Sequence, residues 1–179
     1  MKNDVKNILF TEEKIKEKVI ELGKRITEDY KGKDTIVIGV LKGANIFLSD
    51  LIRRIEIPIT VDFIDVSSYG LSTESSGVVK INKDLDFSIE NKDIIIVEDI
   101  IDTGLTLKYL LENLKSRKPK SIKICTFLDK PDRRKVDIKI DYLGFKIPDE
   151  FIVGYGIDYA EKYRNLPFIA SLKKEAYQK

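Results

Sequence analysis

Apolar residues recur along this chain with two periods, and the switching between them outlines a fold. Ile15, Val19, Leu22 and Ile26 follow one another at steps of three or four, which predicts an amphipathic helix over 11–30, capped by Thr11 and closed near Gly32. Residues 35–41 are a short apolar run rich in β-branched side chains and read as a buried strand. A helical stretch over 44–54 follows, and Pro58 breaks the chain after it. Strand candidates come next at 59–67 and 78–81, then at 93–98, the best buried strand of the chain. A turn at 99–104 leads from that strand into a helix over 105–116, Pro119 ends the helix, and 121–128 is again apolar. Val136, Ile138, Ile140 and Tyr142 alternate, which predicts a less buried strand over 137–143, and 151–153 and 168–172 are short closing strands. The order strand, turn, helix, strand implies an α/β architecture with a parallel sheet and right-handed crossovers. No repeat, low-complexity segment or linker interrupts the pattern, so residues 1–179 read as one domain.

One stretch has no period. Residues 67–77, SSYGLSTESSG, are the most Ser- and Gly-rich in the chain, and they read either as a hairpin loop or as a mobile lid.

Composition narrows the chemistry. Thirty-two basic and 30 acidic side chains leave a formal charge of +2, which carries no footprint of a nucleic-acid or membrane partner. Neither a membrane-spanning apolar run nor a signal-peptide core is present, and the single cysteine, Cys125, suits a reducing compartment, so a cytoplasmic location is expected. With no histidine in the sequence, Ser-His-Asp and Cys-His machinery and histidine-bound metals are excluded. Proton transfer then falls to carboxylates, lysines or tyrosines, and any metal takes oxygen ligands, as Mg²⁺, Mn²⁺ or Ca²⁺ do.

The segment VEDIIDTGLTL, residues 97–107, lies where ligands settle in an open α/β sheet, at the carboxyl end of a strand. Asp102-Thr103-Gly104-Leu105-Thr106 offers backbone N–H groups and two hydroxyls at a helix N-terminus, which suits a phosphate. Glu98, Asp99 and Asp102 crowd the same place with negative charge. Three carboxylates add nothing to a phosphate cradle, but they suit a ligand that also brings hydroxyls and a Mg²⁺ ion, such as a sugar carrying a 5-phosphate and a diphosphate. A helix N-cap followed by solvated acids would look the same. Neither a GxxxxGK[ST] loop nor a GxGxxG turn after a strand accounts for the segment.

VEDIIDTGLTL resembles the phosphoribosyl-pyrophosphate motif of the phosphoribosyltransferases, and the likeness extends along the chain. IGVLKGANIF resembles the pyrophosphate loop of the hypoxanthine-guanine phosphoribosyltransferases, and VDFIDVSSYG resembles the start of their mobile loop. LDKP and EFIVGYGIDYAEKYRNLPFI resemble their purine pocket and C-terminal hood. The match runs in order from about Ile8 to Leu172.

The resemblance implies the type I phosphoribosyltransferase fold: a central, mostly parallel sheet flanked by helices. A small hood would come from about 129–172 with help from the N-terminal segment, and a loop over about 66–77 would close on the site. It implies purine salvage, in which the 5-phosphoribosyl group passes from phosphoribosyl pyrophosphate to N9 of hypoxanthine or guanine, giving IMP or GMP and pyrophosphate with Mg²⁺ as cofactor. Glu98 and Asp99 would hold ribose hydroxyls directly or through Mg²⁺, with Asp158 joining the metal shell. Asp102 to Thr106 would cradle the 5-phosphate, and Asp102 would take the N7 proton of the purine, helped by the raised proton affinity of a carboxylate near phosphate. Lys130 would donate to the 6-oxo group and reject the 6-amino group of adenine. Phe151 would stack on the base, and the Ile152 backbone would meet its exocyclic edge. Leu41, Lys42 and Gly43, with a cis Leu41–Lys42 peptide, would bind pyrophosphate together with Arg164, Ser68 and Tyr69. A homodimer or homotetramer is implied as well.

Taken singly, each of these residues has a plainer reading: Phe151 as core, Lys130 as solvated, Asp158 and Arg164 as a surface ion pair. A regulator that senses phosphoribosyl pyrophosphate is the rival from another class, but it needs a nucleic-acid surface that the charge balance does not supply. Xanthine is the rival base, because the purine 2-position is read partly by backbone groups.

Overall fold

The computed structural model describes residues 2–68 and 79–177. The elements in chain order are β1 Val5–Phe10, α1 Glu12–Asp29, β2 Thr35–Leu41, α2 Asn45–Ile52, β3 Thr60–Ser68, β4 Val79–Lys83 and β5 Asp93–Ile101. They continue with α3 Leu105–Ser116, β6 Ser121–Asp129, β7 Tyr142–Lys146, β8 Ile152–Val153 and β9 Ile169–Leu172. Six strands form a sheet in the order β4-β3-β2-β5-β6-β7, parallel except where β4 pairs antiparallel with β3. The other three, β1-β9-β8, form a small antiparallel sheet.

The central strands are apolar on both faces because both faces are covered. Along β5, Ile95 and Val97 join one core with Ile15, Leu22 and Ile26 of α1 and Phe47 and Leu51 of α2. Ile94 and Ile96 join a second core with Leu107, Leu110 and Leu114 of α3. Thr11 caps α1 as expected, its hydroxyl accepting from the Lys14 amide at 3.4 Å. Gly23, inside α1, is the point of closest approach to the end of α2: a Cβ there would stand 2.7 Å from the Arg54 carbonyl oxygen. One turn on, the Thr27 hydroxyl accepts from the Glu56 amide at 2.9 Å and locks the two elements together.

Two sequence expectations are corrected, and one strand was not foreseen. The strand expected over 137–143 starts only at Tyr142. The alternating Val136 and Ile138 instead lie across the end of the sheet against Gly104, and the Lys135 amide donates to the Thr103 carbonyl at 3.0 Å. Asp141 then steers the chain onto β6, its carboxylate accepting from the Ile124 amide at 3.1 Å. Second, the strand read as 93–98 continues to Ile101, with Ile100 and Ile101 paired to β6, so Asp99 to Ile101 belong to the strand rather than to the turn. The unforeseen strand is β1, which has no clear period of its own, yet pairs with β9 and supplies the N-terminal share of the hood. The expected loop over 66–77 falls, from Tyr69 onward, outside the described residues.

Substituting Gly23→Ala should force α1 away from Arg54 and cost about 1–3 kcal/mol of stability. Urea unfolding would show this as a lower midpoint with an unchanged slope.

Candidate active site

β5 brings its two acids to the end of the sheet with very different surroundings. Glu98 is buried, and burial together with the neighbouring Asp99 carboxylate pushes its pKa well above the usual carboxylate range. Asp99 is partly buried, and burial pushes its pKa up to about 6 against the opposing effect of the Ile100 amide, which donates to its Oδ1 at 2.8 Å. The Arg164 guanidinium also favours its charge, while Asp158 opposes it.

After Ile101 the chain turns through Asp102 and Thr103 to Gly104, whose φ of +80° starts α3 from a left-handed conformation that a side chain would strain. Among the described residues Gly104 itself provides no side-chain cap. The Leu105 amide meets the Thr103 hydroxyl at 3.4 Å, and the other first-turn amides have no partner within the helix by its geometry. Glu98, Asp102, Thr103, Gly104 and Thr106 line a cavity of about 140 Å³ over this helix end.

A second cavity, of about 310 Å³, adjoins it. Asp102, Lys130, Phe151, Ile152 and Asp158 line it, along with Arg133 and Asp149. Ile100 and Asp102 border both cavities, so Asp102 stands at their junction. Lys130 is 8% exposed, and its ammonium donates to the Glu150 carbonyl at 2.7 Å with the Asp149 carboxylate 3.6 Å away. Phe151, which lines the cavity, keeps 39% of its surface exposed, high for a phenyl group in a folded chain.

A third group gathers beside Asp99. The Leu41–Lys42 peptide is cis, as the resemblance implied. Gly43 abuts Asp99 so closely that a Cβ there would lie 1.8 Å from Asp99 Oδ2. Gly156 in turn packs on the Gly43 carbonyl, where a Cβ would come within 2.1 Å. Arg164 donates to the Gly156 carbonyl at 2.7 Å and pairs with Asp158 at 2.8 Å. The structure therefore brings together the residues singled out in the sequence, apart from Tyr69, which lies outside the described residues, and Ser68, of which only the backbone, at the end of β3, is described. One grouping does not form. Among the described residues no three acidic or cysteine side chains converge as a metal cluster, so Glu98, Asp99 and Asp158 are not a ready-made carboxylate cage.

Several partners were not anticipated. Arg133 donates to Asp102 Oδ1 at 2.6 Å and reaches Asp149 at 3.3 Å. Tyr177 stacks on Phe151 with ring centres 4.5 Å apart, and Tyr159 meets the same ring edge-on at 5.3 Å. Glu161 pairs with Lys42 at 3.1 Å. Arg133, Asp149 and Glu161 sit two or three residues from positions already chosen, so their proximity was open to view. Tyr177 gave no local sign.

A family model described as the phosphoribosyl transferase domain matches residues 6–160. The chain belongs to the phosphoribosyl transferase family. Among curated relatives, the hypoxanthine-guanine phosphoribosyltransferase of Bacillus subtilis is 58% identical over 99% of both chains. A crystal structure of a hypoxanthine phosphoribosyltransferase from Staphylococcus aureus superposes with a TM-score of 0.98 at 56% identity, covering 100% of this chain and 97% of that one. A hypoxanthine-guanine phosphoribosyltransferase from Bacillus anthracis gives a TM-score of 0.91 at 57% identity, covering 94% of this chain and 99% of that one. The architecture described above is thus the type I phosphoribosyltransferase fold. No helix among the described residues is long and apolar enough to cross a membrane.

The acid pair makes stability depend on pH in a defined direction. Asp99 titrates near 6 in the folded chain against an ordinary value of 3.8, so the native state holds its proton more tightly. That contribution is complete in acid below the ordinary value and is lost as pH rises through about 6. Asp99→Asn should accordingly raise the Tm at pH 8 and leave it nearly unchanged at pH 3, as followed by thermal unfolding in metal-free buffer.

Proposed function

We propose that the protein is a purine-salvage enzyme that transfers the 5-phosphoribosyl group of phosphoribosyl pyrophosphate to N9 of hypoxanthine or guanine. The observation that carries this reading is the position of Asp102, bordering both a helix-end cavity suited to a sugar phosphate and a larger cavity walled by Phe151 and Lys130. A glycosidic bond forms where two such ligands meet, and a carboxylate is already there.

The 5-phosphate would be held by the amides and hydroxyls of Thr103 to Thr106 at the start of α3, where the helix dipole favours an anion. The purine would lie against Phe151, with Ile152 backbone groups at its edge. Lys130 would donate to the 6-oxo group, as it now donates to the Glu150 carbonyl. An ammonium offers donors only, so an exocyclic 6-amino group would be left facing it unpaired, which disfavours adenine. Asp102 would accept the N7 proton as N9 bonds to C1 and the C1–O bond to pyrophosphate breaks. Lys42, the Gly43 amide and Arg164 would hold the departing pyrophosphate.

Mg²⁺ fits this site through its donor chemistry, since two adjacent carboxylates that resist ionisation are relieved by a hard cation arriving with sugar hydroxyls. Glu98 and Asp99 would hold it on the ribose side and Asp158 on the pyrophosphate side. When bound, Mg²⁺ neutralises charge on the diphosphate. Because no three-carboxylate cage preexists among the described residues, most of its ligands would come from the substrate. We further propose a cytoplasmic enzyme working as a homodimer or homotetramer.

An assay of hypoxanthine, guanine, xanthine and adenine with phosphoribosyl pyrophosphate and Mg²⁺ should show turnover of the first two and none of adenine. Asp102→Asn should lower kcat by about 10²- to 10⁴-fold while phosphoribosyl pyrophosphate still binds. Tight binding without turnover of any base by the unaltered protein would favour a sensor instead.

A further inference from the structure

Glu161 stands between the two cations that the proposed function assigns to pyrophosphate. Its Oε2 lies 3.1 Å from Lys42 Nζ and its Oε1 lies 3.5 Å from Arg164 Nη2. Lys42 comes from the turn after β2 and Arg164 from the hood, so one carboxylate bridges two distant segments. The backbone is shaped for this. Ala160 and Glu161 both adopt positive φ, +51° and +63°, a conformation uncommon for residues with side chains. The Glu161 amide is pinned to Asp158 Oδ2 at 2.8 Å, and Tyr159 and Lys162 pair across the turn. The carboxylate itself is not buried, being 65% exposed like Lys42, and it contributes nothing to the core. Hydrogen bonding to Lys42 holds it below the usual carboxylate range. Beside it, Arg164 has a buried Nε without a partner among the described residues, so this guanidinium retains donor capacity that its described contacts leave unused.

Two cations held apart by one internal anion form the charge pattern of a diphosphate site filled by the protein's own side chain. We propose that Glu161 is an internal counter-anion that occupies the pyrophosphate position of the empty enzyme and must be displaced when pyrophosphate binds. The proposal rests on reading Lys42 and Arg164 as pyrophosphate ligands. Its consequence is kinetic as well as energetic. Pyrophosphate exchanges with an anion already present, so it binds more weakly than it would to the same two cations without Glu161, and the returning carboxylate speeds its departure.

Exposed ion pairs are worth a small factor each, so Glu161→Gln should tighten binding of inorganic pyrophosphate by about three- to tenfold. Calorimetric titration with pyrophosphate at fixed Mg²⁺, together with product-inhibition constants, reads this directly. Glu161→Asp, too short to bridge the same gap from a fixed backbone, should behave like Glu161→Gln. In a Lys42→Met background the effect of Glu161→Gln should shrink towards none. A Glu161 that only props Arg164 in place predicts the opposite sign, and weaker or unchanged pyrophosphate binding in Glu161→Gln would overturn the proposal. The two readings fail separately. Unchanged pyrophosphate affinity in Lys42→Met would remove Lys42 from the site altogether. Weakening in Lys42→Met with no tightening in Glu161→Gln would remove only the counter-anion role. Unfolding curves of Glu161→Gln should superpose on those of the unaltered protein, since the Asp158 contact is made by the Glu161 backbone.

Discussion

Two neighbouring carboxylates withdrawn from water at the end of a parallel strand are the constraint around which this molecule is arranged. Glu98 and Asp99 stay on β5 because the strand runs on to Ile101 and pairs with β6 past them. A chain that placed them in a loop would let them relax into solvent. Held in the ladder, they face the turn into α3, the Gly43 loop and, through Asp158 and Arg164, the hood. Each of those segments supplies what a buried anion lacks, either a donor or a ligand that brings one. Among the described residues no third carboxylate converges with the pair as a metal cluster, so the pair is a poor metal cage and a good receptor for hydroxyls with an accompanying cation.

Around that constraint, the groups proposed to meet substrate are already engaged with protein partners. Lys130 donates to the Glu150 carbonyl, Asp102 accepts from Arg133, Lys42 pairs with Glu161, and Arg164 pairs with Asp158. Leaving such groups unpaired would cost their desolvation where they are buried. Pairing them fixes their directions in advance, so binding becomes an exchange of partners rather than an ordering of loose side chains.

The hood shows how remote parts of the chain enter the site. β8, which follows Phe151, is too short to stand alone and is held by β9, which is held in turn by β1 near the start of the chain. The Lys173 amide donates to the Asp4 carbonyl at 2.9 Å, and a few residues later Tyr177 stacks on the Phe151 ring. The aromatic wall of the larger cavity thus depends on both ends of the chain.

By itself the sequence determined the layers, because burying a strand on both faces demands continuous apolar runs and covering it demands helices with one apolar stripe, as in 35–41, 93–98 and 11–30. It also determined the chemistry on offer: the lack of histidine left carboxylates and lysines, and the phosphate turn, Lys130 and Phe151 stood in segments whose local pattern or family resemblance marked them. Tertiary structure decided what periodicity does not encode. Val136 and Ile138 alternate like a strand but pack over Gly104, because the ladder partner at that point of β6 is reached only from Tyr142. Arg133 on Asp102, Glu161 between Lys42 and Arg164, and Tyr177 behind Phe151 are contacts between exposed or terminal side chains, with no hydrophobic repeat to announce them. Local sequence sets which backbone and burial pattern is cheapest; which charges and rings then face each other is settled only when segments distant along the chain close on one another.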